Sequence, residues 1–101
     1  GKSFFKEDRL RKRALKIARS LPEEAILSFD SLSDMSFTEK NGFELQLLQG
    51  NLRVLIGKEL TESQRQRLEK VLQYLVAKNI KDRVIDARFS KKVVVRLRNE
   101  P

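Results

Sequence analysis

Cysteine and histidine are both absent from this 101-residue sequence. Without cysteine there is no disulfide, no thiolate nucleophile and no cysteine metal site. Without histidine, the commonest general base and the commonest metal ligand are also gone. The phosphate-binding GxxxxGK, the dinucleotide-binding GxGxxG and the nucleophile-elbow GxSxG patterns do not occur. Glu23 and Glu24 stand together just after Pro22, where they read as surface charge, and Asp30, Asp34, Asp82 and Asp86 are scattered without ligand spacing. The sequence therefore predicts a protein that is not an enzyme and holds no metal or cofactor.

Long apolar runs are missing too. None reaches the length that crosses a bilayer, and the N-terminus has no apolar signal-peptide core, so the chain as given reads as soluble. Gly1 in place of a methionine suggests an excised piece of a longer protein. Aromatics are scarce, at 7%, and no RNP, GXXG or helix-turn-helix pattern is present, which removes the usual means of reading bases.

What is abundant is charge: 36% of residues are charged and the net charge is +8. Residues 1–20 contain eight Lys or Arg against two acidic residues, so +6 of that +8 lies there. Within this stretch Leu10, Ala14, Ile17, Ala18 and Leu21 follow helical spacing, while Arg9, Lys12, Arg13, Lys16 and Arg19 fall on the other side. The spacing predicts an amphipathic helix over Lys6 to Leu21, ended by Pro22, with a basic face that is either solvated or anion-binding.

The middle of the chain alternates. Phe43, Leu45 and Leu47 alternate with Glu44 and Gln46, and Leu52, Val54 and Ile56 repeat the pattern after Gln49-Gly50-Asn51. Asn41-Gly42 predicts a type I′ hairpin turn, with Met35 to Lys40 pairing with Phe43 to Leu48. Leu60 to Ile80 predicts a helix with a Thr61/Gln64 capping box, a buried stripe of Leu68, Val71, Leu72, Leu75 and Val76, and Asn79 as a left-handed C-cap. Two short β-branched runs follow, Val84 to Phe89 and Lys92 to Arg98, joined by Ser90, Lys91 and Lys92. Residues 1–101 thus read as one α+β domain: a mainly antiparallel sheet of about five strands, a meander and then a C-terminal hairpin, with two helices packed on it.

The last strand is expected at an edge of the sheet. Val94 makes it apolar on both faces, and Lys91, Lys92, Arg96 and Arg98 are charges of the kind that keep an edge from aggregating. Such an edge can accept a strand from another protein, with backbone bonds supplying affinity and neighbouring side chains supplying specificity. Asp86 and Arg88 are also placed to form an ordinary exposed ion pair.

Several local patterns resemble the C-terminal β domain of the bacterial cell-division family FtsQ, called DivIB in Gram-positive bacteria. Leu32-Ser33-Asp34-Met35-Ser36 is similar to the strand that opens that domain's meander. Gly42-Phe43-Glu44-Leu45-Gln46-Leu47, followed by Gly50, Val54 and Ile56-Gly57-Lys58, resembles its glycine-punctuated hairpin. Ile85-Asp86-Ala87-Arg88-Phe89 resembles its Val-Asp-x-Arg-Tyr segment, which leads to a final Val-x-Val-Arg strand. The similarity runs from about Leu10 to Arg98. The chain departs from the family in having Ser90-Lys91-Lys92 where a Pro- and Gly-containing turn is common, and Leu97 where a late aromatic is frequent.

The resemblance implies a non-enzymatic divisome scaffold without cofactors. The whole protein would be anchored in the inner (plasma) membrane by one helix, carry a preceding POTRA domain, and hold this domain on the periplasmic or extracytoplasmic side. Its implied partners are FtsB- or DivIC-like and FtsL-like proteins, the former adding a strand to the C-terminal edge. Arg88, Phe89, Lys91, Val93, Val94, Val95, Arg96 and Leu97 would form that site, with Arg88 pairing with a partner carboxylate and Phe89 serving as an apolar anchor. From another class, the charge pattern supports a basic module that binds nucleic acid or an anionic membrane through Arg9, Lys12, Arg13, Lys16 and Arg19. Of those two ligands, nucleic acid is the less expected.

Overall fold

Helix α1 runs over Lys2–Ser20, four residues further toward the N-terminus than the spacing predicts, since no proline or glycine interrupts residues 2–6. The computed structural model describes residues 2–98, with side chains from Glu7 onward. Ile17, Ala18 and Leu21 are buried, and Leu10 and Ala14 pack against the same core. A short 3-10 turn at Phe29–Ser31 leads into β1 (Leu32–Thr38), β2 (Gly42–Leu47) and β3 (Leu52–Gly57), which form the expected antiparallel meander.

The first hairpin does not close as the Asn-Gly pair predicts. Thr38 lies opposite Gly42, so Glu39, Lys40 and Asn41 form a three-residue connection, and of Asn41 and Gly42 only the glycine has a positive φ, +73°. Asn41 is engaged instead: its backbone N–H donates to Thr38 Oγ1 (3.0 Å) and its side-chain amide donates to Glu44 Oε2 (3.2 Å). A three-residue loop closed by a left-handed glycine satisfies those bonds, whereas a type I′ turn would make Asn41 left-handed. Two consecutive left-handed residues do occur in the next turn, at Gly50 and Asn51.

Helix α2 (Glu62–Ala77) begins with the expected capping box. Thr61 Oγ1 accepts from the Gln64 N–H (3.2 Å), and Gln64 Oε1 accepts from the Thr61 N–H (3.1 Å). It ends in a Schellman motif: Asn79 has φ +56°, its N–H reaches the Val76 carbonyl, and the Ile80 N–H reaches the Leu75 carbonyl. Leu68, Leu72 and Leu75 are buried, Val71 is half-buried, and Val76 is exposed. The helix is packed along one narrow line, and Val76 lies past its edge.

β4 (Arg83–Asp86) then pairs in parallel with β3, Leu52 opposite Arg83 and Val54 opposite Ile85, so α2 is the crossover of a β-α-β unit. β5 (Val94–Leu97) returns antiparallel to β4. The sheet order is β1-β2-β3-β4-β5. One sheet face carries Phe43, Leu45, Leu47, Leu52, Val54, Ile56, Ile85 and Ala87, which form one core with both helices. The α+β architecture with two helices and five strands is as the sequence predicts. The opposite face, with no helix on it, carries Glu44, Arg53, Asp86 and Arg96.

Candidate functional site

Among the described residues, β5 has a strand neighbour on one side only. The phase of its ladder follows from one bond, the Arg98 N–H donating to the Asp82 carbonyl at 3.0 Å, with Val84 opposite Arg96 and Asp86 opposite Val94. Antiparallel pairs alternate between bonded and non-bonded, so Val94, Arg96 and Arg98 direct their backbone groups to β4. Val95 and Leu97 turn theirs outward. This is the bonding pattern a further strand requires.

The side chains alternate in the same phase. Val95 lies opposite Ile85 on the helix-covered side, yet it remains 40% exposed, Leu97 50% and the nearby Tyr74 of α2 58%. Lys70, Val71, Tyr74, Leu75, Arg83 and Val95 line an open groove between α2 and the strand. Val93 is half-buried and packs against the core. On the other side, Val94 is half-buried opposite Asp86, while Arg96 is exposed. An edge backbone and an apolar strip therefore lie together.

Asp86 organises the open face. It is fully buried, not half of the exposed pair that its spacing from Arg88 suggests. Its carboxylate accepts from the Arg88 N–H (3.1 Å), Nε (2.8 Å) and Nη2 (2.6 Å), and from Arg96 Nη1 at 3.3 Å. Burial alone would raise its pKa. The Arg88 side-chain bonds, then the Arg88 N–H and the charges of Arg88 and Arg96, hold it below the usual carboxylate range instead. The same bonds raise the Arg88 pKa. Arg88 Nη1 also donates to Asn41 Oδ1 at 2.8 Å, so the guanidinium bridges the loop after β4 to the first hairpin.

That loop is anchored from below by α2. The Gln64 side-chain amide donates to the carbonyls of Ile56 (2.9 Å) and Ala87 (2.6 Å), and Arg67 Nη2 donates to the Ser90 carbonyl (2.7 Å). Sequence reasoning identified Gln64 only as a cap and missed Arg67. The two are spaced three apart on one helix, a signal that has meaning only once the loop is known to lie over α2. Phe89 is 41% exposed with Lys92 Nζ 4.9 Å from its ring centre, so it is available at the surface, and Lys91 is exposed beside it.

The five cations expected on α1 divide. Arg9, Lys12, Lys16 and Arg19 are exposed, and Lys12 makes an ion pair with Asp8 (3.4 Å). Arg13 belongs to a structural joint instead: it donates to the Lys58 carbonyl (2.8 Å) and lies over the edge-to-face pair Phe37 and Phe43. No described helix is long and apolar enough to cross a membrane. Comparison of the chain with protein-family models, with curated proteins and with solved structures found no match.

Proposed function

We propose that this domain binds a partner protein by strand addition at β5, as a non-enzymatic scaffold of the bacterial division machinery. The division role rests on the FtsQ/DivIB resemblance of the segments around Gly42, Asp86 and Arg96. It carries with it membrane anchorage of the whole protein, an extracytoplasmic position and partners of the FtsB/DivIC and FtsL type. The observation that supports strand addition is the coincidence of outward-facing backbone at Val95 and Leu97 with their exposed apolar side chains, Val95 sharing a groove with Tyr74 of α2.

The test is a titration of isotope-labelled domain with a C-terminal FtsB-like peptide, read as amide chemical shifts. Shifts concentrated on residues 93–97 are expected. Val95→Pro should remove them with the fold retained, because the Val95 N–H is not part of the β4 ladder and proline is tolerated on such an edge. Shifts that avoid the edge, or that survive Val95→Pro, would overturn the reading.

A second reading has one observation in its favour: Arg9, Lys12, Lys16 and Arg19 form an exposed cationic row on α1. Binding of a polyanion or anionic membrane there should weaken steeply as salt rises, whereas strand addition should persist at moderate ionic strength. Shifts on Arg9 to Arg19 that vanish with salt would favour it.

A further inference from the structure

The open face beside β5 carries two arginines, Arg96 and Arg98, that are weakly paired with carboxylates among the described residues. Asp86 is the carboxylate bonded to Arg88, and it also serves Arg96. Arg88 takes three of the four bonds, with distances down to 2.6 Å, leaving Arg96 one contact of 3.3 Å and a side chain 42% exposed. Arg98 reaches inward across the sheet, but among the described residues its partners are neutral: the Gln46 side-chain oxygen (2.8 Å), and the Asn51 side-chain (3.0 Å) and backbone (3.2 Å) oxygens. Of the other carboxylates on this face, Glu44 is paired with Arg53 at 3.2 Å, Asp82 accepts from the Asn51 side-chain amide at 2.8 Å, and Asp34 lies on β1 opposite Gln46; none makes an ion pair with Arg96 or Arg98 among the described residues. Among the described residues, the guanidinium groups of Arg96 on β5 and of Arg98 just after it are thus left without a carboxylate of their own.

Strand geometry determines where the missing carboxylates would come from. Side chains of an added strand alternate between the two faces, whichever way it runs. Those level with Val95 and Leu97 fall on the α2 side, against the apolar strip. Those level with Arg96 and Arg98 fall on the open side. We infer that β5 selects an extended acidic peptide in which apolar residues alternate with Asp or Glu, its carboxylates read by Arg96 and Arg98.

This inference rests on the strand-addition reading above and shifts the reading of partner charge away from Arg88. The Arg88 fork is already closed on Asp86 and Asn41, so it shapes the site and holds Asp86. Arg96 has most of its five donors to offer.

Two acetylated and amidated nine-residue peptides test it, one alternating Val with Glu and the other Val with Lys. Each would be titrated into the labelled 101-residue chain, and the ratio of their affinities measured. The Glu peptide should bind at least about tenfold tighter, and Arg96→Gln should narrow the ratio roughly threefold, as expected for one half-exposed ion pair. A Lys12→Gln variant removes the same charge from a distant surface and should leave the ratio nearly unchanged. If both peptides shift the residue 93–97 amides equally, or if Lys12→Gln narrows the ratio as much as Arg96→Gln, the acidic preference is overturned while strand addition stands. If neither peptide shifts those amides, strand addition falls and the preference with it.

Discussion

The sheet has two edges, and the chain treats them differently. β1 is seven residues long and pairs with β2 through a register shift between Leu32 and Asp34, where the Ser33 hydroxyl donates to the Gln46 carbonyl at 3.2 Å. A bulge and polar side chains at Ser33, Asp34 and Ser36 make a poor template for another strand. β5 is four residues long, its register is regular, and it presents Val95 and Leu97. Among the described residues, its shortness and its cations are what protect it. An edge guarded by charge alone repels most strands and admits one that carries the opposite charge, so the same arginines can serve solubility and selection.

The comparison can be broken most severely at the base of the β1–β2 hairpin. A Cβ on Gly42 would lie 2.3 Å from the Gly57 carbonyl carbon, at a φ of +73°. Gly42→Ala should cost more than about 3 kcal/mol in urea denaturation, since both backbone strain and a backbone clash are introduced. Asp86→Ala should come next, at about 2–3 kcal/mol, because it leaves Arg88 and Arg96 facing each other without their shared carboxylate; the partial exposure of both arginines keeps the loss below that of a fully buried pair.

The pH dependence has a definite sign. The folded pKa of Asp86 is depressed, so its contribution is complete above the unfolded carboxyl value near ~4 and is lost as pH falls through the lower folded value. Asp86→Asn should therefore flatten part of the acid limb of the stability profile measured by denaturation between about pH 5 and pH 2.

Smaller effects would sharpen the contrast. Gln64→Leu leaves the Ile56 and Ala87 carbonyls unpaired and should cost about 1–3 kcal/mol. Hydrogen exchange should then accelerate in residues 87–93, next to β5, and stay unchanged in β1. Ser33→Ala should cost no more than about 1 kcal/mol and leave peptide binding at β5 untouched. A gain of strand binding at β1 in that variant would show that its bulge was the guard.

Much of this architecture was legible because it depends on local periodicity. The alternation of Phe43, Leu45 and Leu47, the Thr61/Gln64 box and the left-handed Asn79 all involve residues within one element. The hairpin turn was misread because Asn41 is held by Glu44 and by Arg88, a residue far along the chain whose proximity no dipeptide preference encodes. Val76 has the right spacing for the stripe but lies where α2 passes the edge of the core. The candidate edge could be read from the sequence as a strand, and its apolar alternation with it. Its charge balance could not, since the burial of Asp86 and the unequal sharing between Arg88 and Arg96 exist only after β4, β5 and the first hairpin have met.

The parallel step from β3 to β4 has a consequence in time. The meander is built from neighbours in sequence, whereas Leu52 meets Arg83 only after α2 has crossed over. Such non-local closure is entropically late, so β5 is laid onto a sheet whose other strands can already have formed. A chain stalled at the meander has no β5 edge to offer. Any partner that adds a strand there would bind finished molecules and pass over incomplete ones, so that the last part of the domain to assemble acts as its certificate of completion.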